Sequence, residues 1–591
     1  MSWTVEEARA LLQDRWGHAD FRKSQEQVIE FVAEGGNVLA VLPTSEGKSA
    51  CFQIPAILHE GGTIVVSPLI ALMKDQVDDC NAKGVPAVCL NSHMDDAEKW
   101  DAIEQFQCGS AKLMYVAPER INSPSFIEAM QNSDVSMVVA DEAHCCSQWG
   151  HQFRPEYMHI HRLITSLRKD DVLPQVLMFT ATATPLVVKD IVQSLGLKAD
   201  EVTQIVADPI RANLRYITKD AGISGGYGNI WEILRSTIKR FNTREGRHII
   251  YVSSRKGCET VASICEQVHY DGVATAYHAG MKGDDRTRVQ EAFKSGKTPI
   301  VCATTAFGMG IDVPNIRTVV LMGVPGSLED FVQQTGRAGR DGLESNTILI
   351  ADDRSVDWQT RLVENESPPM LHYELAWEWL HLHLQPGGSL KMSAADMAQE
   401  ITAMRKGSLE PEQVNVILNR LHAAALIERR NVDAGTPVTV DPAAWRAAAD
   451  DPECKAKPAV KQVWSIMWSK VIAPALAEAR EGQERLTVYV SKKALQEQAG
   501  VSGYMVGKAI EAMGVPKRLG ITHIGDTFVG KSVRVLKWRA SLADELPVAR
   551  INEKRDNDFA RLHRMVSFAR LETEDERKAL LRHYFLSTDE Q

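Results

Sequence analysis

Leu42-Pro43-Thr44-Ser45-Glu46-Gly47-Lys48-Ser49 is the stretch whose reading decides the fold. The phosphate-binding pattern is G-x-x-x-x-G-K-[ST]. Its glycines let backbone N–H groups crowd around phosphate oxygens, and its lysine reaches the outer phosphates. Gly47, Lys48 and Ser49 fit, while Leu42 stands where the first glycine belongs. The flanks supply the context that the pattern needs. Asn37–Leu42 is an apolar run of the length of a buried strand, and Ser49–Pro55 can open a helix. A helix N-terminus there aims its dipole and free N–H groups at an anion. The same residues also suit a plain strand–turn–helix connection, so the loop alone leaves nucleotide binding open.

Outward from this loop, short apolar strands alternate with helical stretches from Phe21 to about Asp352. Asn37–Leu42, Thr63–Ser67, Lys112–Ala117, Ser136–Ala140, Val176–Thr180, His248–Ser253, Pro299–Ala303 and Thr318–Met322 read as strands. Such alternation implies βαβ units and parallel sheets, an α/β class. A break near Asp208-Pro-Ile-Arg211, followed by the glycine-rich Gly222–Gly228, divides it into two domains, 1–207 and 208–352. Beyond Asp353 the texture changes. The expected order is linker helices and a winged-helix-like domain (353–452), a helix–turn–helix-like domain (453–545) and a helical hairpin (546–591).

Composition bounds the class. With 591 residues the chain suits about four domains at roughly 150 residues each. The ten cysteines are scattered without a C-x-x-C pair, which favours a reducing, cytoplasmic setting over a disulfide framework. No apolar run approaches a membrane span, and the acidic, amphipathic N-terminus is unlike a secretory leader. The net charge of −10 disfavours a uniformly basic nucleic-acid coat but leaves room for a local basic groove.

Two further constellations carry chemistry. Asp141 and Glu142 close the apolar run Met137–Ala140. A Mg²⁺-nucleotide site needs one carboxylate for the metal and a second to orient and deprotonate the attacking water. Acidic pairs are also common at solvated strand ends. Arg337 and Arg340, in Gln333-Gln-Thr-Gly-Arg-Ala-Gly-Arg-Asp-Gly342, can reach a transferring phosphoryl group, or can form a basic surface turn.

Taken in order, these segments resemble the RecQ family of superfamily 2 DNA helicases from about residue 15 to 352. Phe21–Gln25 resembles its adenine-reading segment, Pro43–Pro55 its motif I, Asp141-Glu-Ala-His144 its DEAH box and Thr180-Ala-Thr182 its motif III. Ser147-Gln-Trp149-Gly-His151-Gln-Phe153-Arg154-Pro-Glu-Tyr157 resembles the family's aromatic-rich loop. Ser67–Gln76 and Tyr115–Arg120 resemble segments that touch the DNA backbone. Tyr277–Gly280, Thr304–Asp312 and Gln333–Gly342 resemble motifs of the second core domain. The resemblance implies two tandem RecA-like domains, ATP with Mg²⁺, and single-stranded and duplex DNA as partners. It implies nucleotide contacts from Arg22, Gln25, Thr44, Ser45, Gly47, Lys48, Ser49, Gly308, Asp312 and Gln333, with Ser49 and Asp141 placing Mg²⁺. Glu142 becomes the general base, and Arg337 and Arg340 complete the site across the cleft. His144, Trp149, Phe153, Arg154, Thr180 and Thr182 couple the site to DNA, with loop packing as the alternative for the aromatics. Translocation 3′ to 5′ is implied as well, in a cytoplasmic, nucleoid-associated, bacterial setting. The family usually has a glycine where Ser45 stands; Glu46 takes a variable position and is expected to face solvent.

The resemblance stops after the core. No cysteine lies between Cys302 and Cys454 and none follows, so the family's four-cysteine zinc module is not expected. Arg564–Phe585 resembles the helical half of that module without its ligands. Ser393–Ile401, Glu410–Ile427 and Glu428–Val440 have helix–helix–wing order. Lys493–Ile510 reads as helix–turn–helix, with Gly500 at the turn and Ser502 as cap. Residues 511–540 carry six basic and two acidic residues, a net +4 suited to phosphates. A DNA helicase is the leading expectation. A DNA-stimulated ATPase without strand separation and an ATP-gated DNA-binding scaffold are the alternatives, and protein partners are not legible.

Overall fold

The computed structural model describes residues 3–587 except 45, 148, 150–153, 170–171, 226–227, 309–312, 387–389, 405–408, 432–435, 441–461, 464, 467–468, 471–472, 474–485, 491–494, 496–497, 499–520, 525–530 and 539. The chain forms two compact units, residues 1–360 with 557–591, and residues 361–556.

The first unit holds two parallel sheets. β1 (Asn37–Val41), β2 (Gly62–Val66), β3 (Ala87–Leu90), β4 (Leu113–Val116), β5 (Val135–Ala140), β6 (Gln175–Thr180) and β7 (Val202–Val206) pair in the order β3-β4-β2-β5-β6-β1-β7. β8 (Leu214–Asp220), β9 (Arg247–Val252), β10 (Ala274–Tyr277), β11 (Ile300–Ala303), β12 (Ile316–Met322) and β13 (Ser345–Ala351) follow in the order β10-β11-β9-β12-β13-β8. Every pair is parallel. The cause lies in the strands: all four residues of β4 and of β11 are buried, as expected where helices cover both faces of a parallel sheet. Successive residues alternate between faces. Leu39 and Val41 enter a core with Ile64, Met114 and Met178, while Val38 and Ala40 enter a second core with Val65, Tyr115 and Phe179.

This topology positions the site. β5, β6 and β1 are adjacent and point the same way, so the segments leaving their carboxyl ends share one edge. Those segments are Asp141–Glu142, Thr180–Thr182 and the loop 42–49. Ligands of open parallel sheets bind at that edge.

Two C-terminal helices, Val548–Arg570 and Glu574–Leu586, occupy the stretch where a helical hairpin is expected. The second is capped by Thr573, whose side chain accepts from the Glu576 N–H while Glu576 reaches back. Residues 557–586 pack on the second sheet's surroundings. Phe568 lies 4.6 Å from Phe331, ring to ring. Buried Arg577 donates Nε–H to the Tyr216 carbonyl at 3.0 Å. Arg561 and Glu329, each under a tenth exposed, approach to 3.4 Å, and the Tyr584 hydroxyl bonds Glu329 at 3.0 Å. Phe585 lines a small cavity together with Pro43 and Thr182.

The second unit contains β14 (Leu390–Met392), β15 (Ile427–Asn431), β16 (Thr436–Val440), β17 (Leu486–Val490), β18 (Ile521–Ile524) and β19 (Lys531–Val535). They form two antiparallel sheets, β14-β19-β15 and β17-β16-β18. The helices Ala394–Met404 and Pro411–Ala423 bring Ile401, Val414, Ile417 and Leu421 into one core with Val533 and Val535. Two helices and then two strands follow one another at 393–440, but β15 and β16 pair with other strands and not with each other as a wing would. The expected boundary at 452/453 is not how the strands pair: β15 takes β19, and β16 takes β17 and β18, across that point. Residues 353–452 and 453–545 are not successive modules. Sequence texture shows where strands lie; pairing partners a hundred residues apart leave no local mark. The helix–turn–helix expected at 493–510 lies outside the described residues except Leu495 and Gln498.

Candidate functional site

The loop after β1 is tied at both ends. The Leu42 N–H donates to the Thr180 carbonyl at 2.9 Å, which fixes the loop's foot to the segment after β6. Gly47 has φ +68°, and a Cβ there would lie 2.5 Å from Gln25 Nε2. Only glycine suits both conditions. Gln25 in turn donates Nε2–H to the Gly47 carbonyl at 3.1 Å and accepts the Arg22 N–H at 2.9 Å. The adenine-reading segment expected from the sequence is thus bonded to the loop it would serve. Lys48 Nζ lies 3.4 Å from the Leu42 carbonyl, and Ser49 immediately precedes the helix Ala50–Leu58, its side chain making no capping bond. Glu46 does not simply face solvent as expected. Its side chain is about a quarter exposed and pairs with Arg22 at 3.5 Å, because Arg22 at the helix start lies within reach. Ser45 lies outside the described residues.

The acidic pair sits deeper. Burial, and then Glu142, push the Asp141 carboxyl up to about 7, while Lys48 pulls it down. Asp141 accepts the Glu142 N–H at 3.0 Å and the Ser67 hydroxyl at 3.4 Å, and its carbonyl takes the Tyr157 hydroxyl at 2.9 Å. Glu142 has φ +48° and ψ +50°, a left-handed conformation that a non-glycine residue rarely adopts. Buried Glu142 Oε2 accepts no hydrogen bond, and His144 Nδ1 lies 3.4 Å from it. His144 Nδ1 also meets the Thr180 hydroxyl at 2.9 Å, and Thr180 bonds the Thr182 carbonyl at 3.2 Å. A chain of polar contacts therefore runs from Glu142 through His144 to Thr180 and Thr182.

The second sheet contributes the arginines. Buried Arg337 feels Tyr251, Arg340 and Glu142, and burial lowers its pKa. Its Nε has no hydrogen-bond partner. Gly308 stands beside it, since a Cβ there would lie 3.0 Å from Arg337 Nη2. Gln333 lies on the helix Leu328–Thr335 that leads into this turn. The two halves meet directly, with the Thr44 hydroxyl donating to the Gly336 carbonyl at 2.8 Å.

Not all expected residues gather here. Trp149 packs, half-buried, against the core of the first sheet. Arg154 donates to the Pro68 carbonyl at 2.8 Å and ties the aromatic-rich loop to the segment 67–76. Phe153 and Asp312 lie outside the described residues. Sequence reasoning missed Tyr251 and Arg211. Tyr251 is the penultimate residue of the apolar strand β9, where a polar ring near a carboxyl end is a readable signal. Arg211, in the linker, had none.

The residues present fit a magnesium nucleotide. Asp141 and Glu142 are part-buried carboxylates side by side, Arg337 carries an unsatisfied buried N–H, and Gly47 presents backbone without a side chain. Among the described residues no group of three or more metal-ligating side chains exists. No helix among them is long and apolar enough to cross a membrane.

The DEAD/DEAH box helicase family model matches residues 22–191, and the helicase conserved C-terminal domain matches residues 229–342. The chain is 38% identical over 359 residues to the ATP-dependent DNA helicase RecQ of Bacillus subtilis (strain 168), covering 60% of this chain and 58% of that one. It is 34% identical over 353 residues to the probable ATP-dependent DNA helicase RecS of the same organism, covering 60% of this chain and 68% of that one. Of the RecQ relatives it matches, the chain spans 54–58% of the length. A crystal structure of the DUF1998 helicase MrfA bound to DNA shares the fold, with a TM-score of 0.51 at 18% identity over 72% of this chain and 61% of that one.

Proposed function

The chain belongs to the RecQ family of superfamily 2 helicases, and from that premise we propose that it hydrolyses ATP to move along single-stranded DNA, 3′ to 5′, and separates duplex strands. The observation that carries this reading is the Thr44–Gly336 hydrogen bond of 2.8 Å, which brings the phosphate loop against the arginine turn. A site assembled from two lobes can be made and broken as they close and open.

In this reading Gln25 and Arg22 read the adenine. Lys48 and the N–H groups of the loop take the outer phosphates. Ser49 and Asp141 would hold Mg²⁺, which supplies charge neutralisation at the phosphates. Glu142 accepts the proton of the attacking water and keeps it oriented. Arg337, with Arg340, meets the charge that develops on the transferred group. The His144–Thr180–Thr182 contacts link the Glu142 turn to the foot of the phosphate loop. Arg154 links the aromatic-rich loop to the segment that the family uses on the DNA backbone. Grip on DNA then rests mainly on phosphate contacts with little sequence preference.

ATP hydrolysis measured with and without single-stranded DNA, together with unwinding of duplexes carrying a 3′ or a 5′ tail, tests the reading. Strong stimulation by DNA and unwinding from the 3′ tail are the expected outcomes. Hydrolysis that ignores DNA would sink it. Gln25→Ala is expected to raise KM for ATP about tenfold with kcat preserved, since a lost hydrogen bond left unpaired is worth ~1–3 kcal/mol. Competition between ATP and GTP checks that the loss concerns the base.

A further inference from the structure

Arg211 lies in the linker between the two sheets, outside every expected motif. Its Nη1 donates to the Gly336 carbonyl at 3.1 Å and to the Ala338 carbonyl at 2.7 Å, and its Nη2 donates to the Gly339 carbonyl at 2.6 Å. One guanidinium thus bonds three of the four carbonyls in the stretch 336–339, the stretch that carries Arg337 and leads to Arg340. Asn213 adds a fourth bond, Nδ2–H to the Gly339 carbonyl at 2.8 Å. Gly339 has φ +55°, so the turn cannot relax into a helix. The position is electrostatically poor for a cation: burial lowers the Arg211 pKa, and Arg340 and Arg22 are like charges nearby. The carbonyl dipoles offset this, and only a planar fork can engage three of them at once.

The Gly336 carbonyl also accepts the Thr44 hydroxyl at 2.8 Å. A single acceptor therefore joins the phosphate loop, the linker and the arginine turn. We propose that Arg211 is a positioning residue for ATP hydrolysis, holding the 336–339 turn so that Arg337 and Arg340 present their guanidinium groups to the transferring phosphoryl group. This rests on the reading of the site as an ATPase. Arg211 touches no reacting atom; it acts through the backbone of the turn.

The test combines steady-state ATP hydrolysis at saturating single-stranded DNA with amide hydrogen exchange. Arg211→Ala is expected to lower kcat about 100-fold, the scale of a misplacement near 1 Å, with KM for ATP held. Arg211→Lys recovers part of the loss, because an ammonium group serves fewer carbonyls. Arg211→Ala combined with Arg337→Ala falls no further than Arg337→Ala alone, as two residues acting as one unit require. In Arg211→Ala, the Ala338 and Gly339 amides, bonded to the Thr335 and Ile316 carbonyls, lose protection, while those of Ala50–Gln53 keep theirs. Additive losses in the double variant, or a raised KM with kcat intact, overturn the proposal. Should the parent chain not hydrolyse ATP, the ATPase reading falls by itself. The exchange data then decide the placement: a turn that stays protected without Arg211 overturns it, and one that opens upholds it.

Discussion

Glu142→Gln is expected to bind ATP as the parent chain does and to hydrolyse it about 10²–10⁴-fold more slowly at saturating single-stranded DNA, the range that general-base catalysis supplies. One carboxylate oxygen, Oε2, is buried and accepts no hydrogen bond, and the residue holds a left-handed backbone just beyond the end of β5. Such a conformation stores ~1–3 kcal/mol and persists where the surroundings enforce it. Here Asp141 takes the Glu142 N–H, and the helical turn Ala143–Cys146 follows at once. Glutamine keeps the size and the polarity but cannot take up a proton. It also removes a negative charge beside Asp141, whose carboxyl Glu142 pushes up, so metal-nucleotide affinity should hold. Nucleotide-induced thermal stabilisation checks binding, and phosphate release checks turnover. Turnover within threefold of the parent chain would remove Glu142 from its role.

Arg561→Ala carries the largest expected effect on stability. Arg561 and Glu329 are 9% and 3% exposed, and Asp330 lies part-buried beside them. Removing one partner of a buried pair leaves an uncompensated charge, at about 3–5 kcal/mol. Denaturant unfolding followed at residues 557–586 measures the loss. Glu329→Gln in the same chain should restore part of it, since the stranded charge is then gone.

The pH dependence has a definite sign. Burial pushes Asp330 up to about 6, Arg561 pulls it down and Glu329 adds to the rise. The folded state therefore holds this proton more tightly than the unfolded one. The contribution is fully present below about 4 and is lost as pH rises through about 6. Without Arg561 the window moves upward, and the deficit of Arg561→Ala should grow between pH 5 and pH 8. A deficit that shrinks over that range would contradict the assignment.

Much of the first unit was legible because its signals are local. An apolar run such as Val38–Leu42 must be buried, a Gly-Lys-Ser turn suits phosphate, and an acidic pair after an apolar strand marks a carboxyl edge. Eight strands were readable this way. β3, β7, β8, β10 and β13 were not: Ala87–Leu90 and Ala274–Tyr277 are only four residues long, and Leu214–Asp220 is buried only at Leu214 and Tyr216. Glu46 showed the same limit at the site. Its place in the loop was plain, but its pairing with Arg22 depends on where the helix Lys23–Ala33 begins in space.

The sequence by itself determined the α/β class of residues 21–352, the phosphate loop, the acidic pair and the arginine turn, because periodicity and short-range backbone chemistry need only neighbours along the chain. Tertiary structure decided what depends on distant partners. It paired β15 with β19 and β16 with β17 and β18, so that the two expected modules share their sheets. It set the C-terminal hairpin against Phe331 and Glu329 through rings and a buried ion pair. It also brought Arg211 to the carbonyls of residues more than a hundred positions away. Hydrogen bonds and ion pairs act over a few ångströms, and only folding brings such groups within that range.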